Sequence, residues 1–263
     1  TFKISVVIPM YNARETLPLP LGSLVRQDFP ADEFEAVIVD DGSGDGSPQA
    51  ARQYLAAAPF EWRVLEPPHR GVSVARNLGI EASRGECLFF LDADDELPPD
   101  FLSRVHGGME EKSADLAWIW KVPDLAGMRA LKGHPLSSRE TGIDCLEAYL
   151  ENPRDAQVMA RKAFLESSKI RYTEGLAYAE DFDFFVRLLF SAGRVHVEAE
   201  TGYLYRKNPY QVTRTIDRIA ARKATDETFR RLTGWLMERK APFPILLGMK
   251  KNEARARINL LRE

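Results

Sequence analysis

Apolar residues in the first half of the chain come in short unbroken runs rather than in strict alternation. Ile4-Ser5-Val6-Val7-Ile8-Pro9 reads as a buried strand, rich in β-branched residues and closed by a proline. Residues 36–39 form a second run, 62–65 a weaker third and 87–91 a fourth. Between them, residues 19–27, 49–57 and 72–83 carry helical spacing. Near-continuous apolar strands separated by helices predict an α/β fold, a mostly parallel sheet covered on both faces. In such sheets ligands bind beyond the carboxyl ends of the strands. That rule points to the residues following Val39 and Leu91.

Beyond residue 115 the regularity fades. Residues 116–122 read as a less regular strand, and 123–142, rich in Gly, Pro and Ser, as a loop. Helical patterning returns over 144–150 and 182–191, the latter with Gly193 as its C-terminal cap. From residue 216 onward the pattern predicts helices, broken at Pro242 and Pro244. No internal repeat or low-complexity segment interrupts this order.

Length and composition fit that picture. A chain of 263 residues, 44% hydrophobic and 29% charged, suits one large α/β domain with a short appendage, or a domain and a half. No apolar stretch approaches the roughly 18 residues of a membrane span, and since residues 1–5 run straight into a strand pattern, no signal peptide is expected. Two cysteines, Cys87 and Cys145, are too few for a disulfide framework and fit reduced residues of a cytoplasmic protein. The net charge of −3 hides an asymmetry: residues 214–263 hold 13 Lys/Arg against 6 Asp/Glu, a net of +7, which leaves −10 on the rest. A basic tail on an acidic body fits an anionic partner, either a phosphorylated substrate or a membrane surface; a solvated helix face fits equally well.

Two acidic segments follow the strands. Asp40-Asp41-Gly42-Ser43-Gly44-Asp45-Gly46-Ser47 closes the second. Its glycines let backbone approach a ligand, and its carboxylates can accept from a base or sugar N–H or O–H. A calcium loop matches its opening, but Arg52 stands where a bidentate Glu is needed and a strand precedes it instead of a helix. A plain Asp/Gly turn remains the alternative. Leu91-Asp92-Ala93-Asp94-Asp95 closes the fourth strand. Three carboxylates in four residues repel one another unless a cation neutralises them, and Mg²⁺ or Mn²⁺ takes such oxygens together with substrate phosphates. Helix capping near Pro98-Pro99 is the competing role, fairest for Asp95.

Val6-Val7-Ile8-Pro9-Met10-Tyr11-Asn12, Val39-Asp40-Asp41-Gly42-Ser43, Gly71-Val72-Ser73-Val74-Ala75-Arg76-Asn77 and Phe90-Leu91-Asp92-Ala93-Asp94-Asp95 occur in that order. Together they resemble the successive motifs of family 2 glycosyltransferases over about residues 3–215. The resemblance implies a GT-A (Rossmann-like) fold in residues 1–215 with a basic helical extension in 216–263. It implies an inverting enzyme that moves one sugar from a nucleoside diphosphate sugar, UDP by default, to an acceptor hydroxyl. By that resemblance Pro9, Tyr11 and Asn12 line the nucleotide pocket, Asp40 takes the uracil edge and Asp41 lies beside it. Arg76 and Asn77 face the nucleotide or diphosphate, Asp92 reaches the ribose or donor sugar, and Asp94 holds Mn²⁺ or Mg²⁺. Tyr178-Ala179-Glu180-Asp181-Phe182-Asp183 resembles the family's Glu-Asp segment, which implies Asp181 as the base and Glu180 as an acceptor-binding residue. Without the resemblance, these acids read as dipole-complementing charges at a helix start. Tyr203-Leu204-Tyr205-Arg206 resembles the late Tyr-x-Tyr-Arg stretch, in which Arg206, Lys207 and Arg214 would supply positive charge to the leaving diphosphate.

The family's processive synthases carry Gln-x-x-Arg-Trp and membrane helices; here Trp235 follows Gly234, so single-sugar transfer is expected. The implied setting is bacterial surface polysaccharide or glycoconjugate assembly, with a glycan or lipid-linked acceptor and no nucleic acid. The location follows as cytoplasmic, with peripheral contact at the inner membrane face through the basic segment as an open extension, packing and self-association being the others. Residues 122–160 are expected on the acceptor side. A nucleotidylyltransferase would need a Gly-rich, basic phosphate loop after the first strand, where Met10-Tyr11-Asn12 stands. A dinucleotide oxidoreductase would need G-x-G-x-x-G there. A non-catalytic relative is opposed by the presence of Asp41, Asp94 and Asp181.

Overall fold

A computed structural model of the chain describes residues 1–124, 126–127, 140–151, 156–176, 178–206 and 218–262. Most of the expected 123–142 loop, together with Lys207 and Arg214, lies outside the described residues. The first half alternates strands and helices: β1 (Ile4–Met10), α1 (Pro18–Val25), β2 (Phe34–Asp40), α2 (Ser47–Leu55), β3 (Glu61–Leu65), α3 (Val72–Ala82), β4 (Cys87–Phe90) and α4 (Phe101–Lys112). The second half holds β5 (Leu116–Val122), α5 (Gly142–Glu151), β6 (Ala156–Arg161), α6 (Lys162–Ser168), α7 (Glu180–Ser191), β7 (Val195–Val197), β8 (Tyr203–Leu204), α8 (Arg218–Glu238) and α9 (Phe243–Arg262).

The strands form one sheet in the order β3-β2-β1-β4-β6-β5-β7, with β8 paired to β5. Every pairing is parallel except those of β6, which runs antiparallel to both β4 and β5. The unbroken apolar runs resolve into two faces at period two. Val7, Val37, Val39, Leu88, Phe90 and Trp118 join one core with α3, α5, α7, α8 and α9. Val6, Ile8, Ala36, Ile38, Phe89 and Ile119 join the other with α1, α2 and α4. Both faces are covered, which is why these strands carry no polar alternation. Helix α3 lies so close to β1 that a Cβ on Gly79 would meet Val7 Cγ1 at 2.2 Å.

Three expectations are corrected. Pro9 does not close β1; the strand runs to Met10. Pairing with β4 ends at Val7, so the donor that Pro9 lacks falls where β1 has lost one neighbour. Gly193 does not form a left-handed cap: α7 ends at Ser191 with Ala192 extended, and the Gly193 N–H donates to the Asp115 carboxylate at 2.8 Å. Pro242 does fall in the break between α8 and α9, but Pro244 sits in the first turn of α9, where a helix tolerates proline.

Candidate functional site

The site lies where the parallel strands end. After β2, the Asp40–Ser47 turn is laced to the turn after β1: the Asn12 N–H donates to Ser43 Oγ at 2.8 Å, and the Gly44 N–H donates to Asn12 Oδ1 at 2.9 Å. Asn12 adopts left-handed backbone (φ 48°), which asparagine tolerates better than most residues. Asp40 is buried; its Oδ2 accepts from the Ser43 N–H at 2.9 Å, while Oδ1 has no hydrogen-bond partner. Beside it the exposed Tyr11 ring stacks on His69, centroids 4.7 Å apart. Asp40 thus holds a buried carboxylate oxygen without a donor in the turn that follows β2, and a buried acceptor of this kind is costly to leave unmet.

Asp41 is spent on the chain itself. Its carboxylate accepts from the N–H groups of Arg70 (2.8 Å) and Gly71 (2.9 Å), and His69 Nδ1 lies 2.9 Å away. It therefore fixes the loop that carries His69 and launches α3. Asn77 is likewise engaged: its amide donates to the Tyr172 carbonyl at 3.0 Å and accepts from the Tyr172 N–H at 2.8 Å. The structure thus gives Asn77 a scaffold contact, not a free amide.

Arg76 is the hub. Buried on α3, its Nη2 donates to Asp92 Oδ1 at 3.0 Å, and its Nη1 donates to Glu180 Oε1 at 3.1 Å and Asp181 Oδ1 at 2.8 Å. Its guanidinium also lies 4.9 Å from the Tyr172 ring centroid. Burial opposes its charge, but Asp181, Asp92 and Glu180 hold the proton more firmly than on a free arginine. One cation thus joins the acid after β4 to the acid pair opening α7.

Around Asp92 are two groups that the sequence reading did not single out. Lys121 Nζ, on β5, lies 3.6 Å from Asp92 Oδ2, and Gln157 Nε2, on β6, donates to the same oxygen at 3.3 Å. Burial works against the Asp92 carboxylate; Lys121 and Arg76 outweigh it and hold its pKa below the ordinary value. The signal for Lys121 was a lone lysine inside an otherwise apolar strand; for Gln157 there was none, because β6 itself was not recognised. The Asp92 N–H donates to Tyr203 Oη at 3.0 Å, which ties β8 to the acidic turn.

Asp95 is buried, and burial, then the Asp92 charge, push it up to about 7. Its Oδ1 accepts from the Arg206 N–H at 2.8 Å. The Arg206 guanidinium reaches Glu96 at 2.8 Å, so the side chain expected to meet the diphosphate is paired with a neighbour here. Glu180 and Asp181 differ in setting: 19% of the Glu180 side chain is exposed against 48% for Asp181. Burial, then Asp181, raises the Glu180 pKa from its ordinary value.

Among the described residues no group of three or more His, Cys, Asp and Glu side chains encloses a metal. The oxygen donors after β4, with half-buried Asp94 among them, suit a hard divalent cation that takes one or two carboxylates and completes its shell from phosphate and water. The residues fit such an ion as a shared ligand of protein and substrate.

A mostly parallel sheet with an acidic site across its strand ends is the GT-A architecture. The model for Glycosyl transferase family 2 matches residues 5–136, half of the chain, and the chain belongs to that family. Poly(ribitol-phosphate) β-N-acetylglucosaminyltransferase TarS of Staphylococcus aureus is 30% identical over 77% of this chain, which spans 35% of the TarS sequence. The crystal structure of TarS 1–349 in complex with UDP-GlcNAc superposes with a TM-score of 0.71 at 23% identity, over 87% of this chain and 66% of that one. Mannosyltransferase PcManGT from Pyrobaculum calidifontis, in complex with GDP-Man and Mn²⁺, gives 0.71 at 18% identity over 96% and 70%. At these identities the two structures establish the fold.

Proposed function

We propose that the chain is an inverting, metal-dependent glycosyltransferase that moves one sugar from a UDP-sugar to an acceptor hydroxyl. The observation that carries this is the Arg76 bridge, which fixes a donor-side carboxylate, Asp92, beside the Glu180–Asp181 pair on the acceptor side. The base site supports UDP: the unpartnered Asp40 Oδ1 can accept an imide N–H while Tyr11 covers the ring face, with Pro9 and Asn12 at the pocket wall and Asp41 holding the loop behind it. Guanine also offers a ring N–H, so the bicyclic base is excluded by size or not at all. The UDP-GlcNAc bound by TarS supports the first choice, and the GDP-Man bound by PcManGT keeps the second in the test.

Asp181 takes the acceptor proton as that hydroxyl oxygen attacks the anomeric carbon from the side opposite the diphosphate. The bond from that carbon to the diphosphate oxygen breaks, its electron pair leaves with the diphosphate, and configuration inverts. Glu180, deeper and already bound to Arg76, orients the acceptor. Asn77 keeps Tyr172 beneath Arg76, and Arg206 reaches the diphosphate by exchanging Glu96 for phosphate. Bound at Asp94, Mn²⁺ or Mg²⁺ would supply charge stabilisation for the leaving diphosphate.

We assign residues 1–215 to the transferase domain and 216–263 to its helical extension, and we place the reaction in bacterial surface polysaccharide or glycoconjugate assembly. We take a glycan or lipid-linked molecule as the acceptor; the TarS name, which pairs an N-acetylglucosaminyl group with poly(ribitol-phosphate), supports a polymeric one. Calorimetric titration with UDP, GDP and dTDP, each with Mn²⁺ and with EDTA, tests the donor site. Metal-dependent binding of UDP alone is the expected result; no binding of any nucleotide to a folded sample would sink the proposal.

A further inference from the structure

The acid pair opens α7 from a strained position. Its N-terminal flank, Ala179, holds left-handed backbone (φ 62°, ψ 26°), which a residue with a Cβ adopts only when its surroundings impose it. No side chain of its own caps the helix. One side of this start is held from α8. The buried Thr228 Oγ1 lies 3.2 Å from the Tyr178 carbonyl and 3.0 Å from the Ala224 carbonyl, so its one proton is shared between the catalytic turn and its own helix. One turn further along α8, Arg231 Nη2 reaches both Asp183 oxygens at 3.3 Å and donates to Thr173 Oγ1. Asp183 is fully buried, two residues past Asp181, and also accepts from Arg187 Nε at 3.0 Å and Thr173 Oγ1 at 2.7 Å. The Phe182 and Phe229 rings pack between these contacts, centroids 5.1 Å apart. On the opposite side Asn77 clamps Tyr172, whose ring stacks on Phe184 at 3.9 Å.

We propose that α8 is the positioning element of the acid pair: Thr228 and Arg231 hold the first turn of α7 in the conformation that presents Glu180 and Asp181 to Arg76. Neither residue touches substrate; each acts through backbone or through Asp183. The catalytic meaning rests on Asp181 being the base, but the structural claim does not.

Hydrogen–deuterium exchange of the full chain tests it with Thr228→Val, Thr228→Ser and Arg231→Met. Amides 183–186, the first in α7 with backbone acceptors, should exchange about tenfold faster in Thr228→Val and at least as much faster in Arg231→Met, and return to wild-type rates in Thr228→Ser. Exchange in β1 and β4 should not change, and UDP affinity with Mn²⁺ should stay within about twofold, since only the acceptor side loosens. Unchanged exchange at the start of α7, or an equal rise across the sheet, would overturn the proposal. If wild-type protein bound no nucleotide while the exchange pattern appeared, the donor reading would fall and the clamp would stand.

Discussion

Asp181 and Glu180 share one guanidinium yet have separable roles. The more exposed Asp181 can reach an acceptor proton, while Glu180 is held deeper at a raised pKa. Asp181→Asn keeps shape and removes the proton acceptor, so nucleotide affinity should persist while transfer falls about 10²- to 10⁴-fold. Single-turnover transfer from whichever UDP-sugar the wild-type protein turns over, alongside calorimetry with UDP, reads both quantities. Near-normal turnover in Asp181→Asn with a collapse in Glu180→Gln would exchange their roles. Asp94→Ala should instead weaken UDP binding with Mn²⁺ and leave binding in EDTA unchanged. At this scale the sequence disclosed the acids, because clusters of carboxylates directly after apolar strands stand out against their surroundings. It did not disclose which were already engaged: Asp41 with backbone N–H groups, Asn77 with Tyr172, Arg206 with Glu96. Those engagements depend on partners 29 to 110 residues away along the chain.

Among elements, the parallel strands were legible because burial on both faces leaves an unbroken apolar run that few other structures require. Strand β6 was not. Ala156–Arg161 carries Gln157 and ends in arginine, and its extended state is imposed by β4 and β5 on either side. The strand ends opposite the site hold a second feature that periodicity conceals. Glu35, fully buried at the start of β2, accepts from Ser5 Oγ (2.7 Å) and from the Arg84 N–H (2.7 Å) and Nε (2.9 Å), with Arg63 at 3.2 Å. Burial opposes its charge; Ser5, Arg84 and Arg63 more than compensate and lower its pKa. A lowered folded pKa means stability that is present above the unfolded value, about 4.3, and is lost as pH falls through the folded one. Glu35→Gln should therefore cost about 3 kcal/mol at pH 7, the low end for breaking a buried pair because Arg84 is itself half exposed. Urea melts of both proteins at pH 7 and pH 3 check the sign: the gap should narrow in acid. A gap independent of pH would mean that packing, not the carboxylate, is what the variant loses.

On the scale of the whole molecule, the basic half of the charge asymmetry falls on the α8–α9 hairpin. No helix among the described residues is long and apolar enough to cross a membrane. The hairpin tip nevertheless exposes Phe243 (74%) and Met237 (62%), with Leu247 one turn along α9 and Lys240, Lys250 and Lys251 exposed nearby. The opposite face of α9, through Ile245 and Met249, is buried against the domain, which leaves this apolar edge at the surface of the described residues. Exposed apolar side chains on a hairpin that also carries these lysines, with Glu238 the one acid at its tip, suit the surface of an anionic bilayer, each buried ring or aliphatic chain contributing about 1.5–3 kcal/mol and each cation about 1. Deleting residues 216–263 cannot test this cleanly, because α8 also braces the acid pair. Phe243→Glu with Leu247→Glu leaves that brace intact. Wild type should co-sediment with phosphatidylglycerol vesicles more than with phosphatidylcholine, and the double variant should lose at least about tenfold in partitioning, a modest share of the area term. Equal binding to both lipids would assign the edge to apolar contact alone. No binding to either would leave it as a surface for self-association, which sedimentation equilibrium of the same two proteins would then resolve.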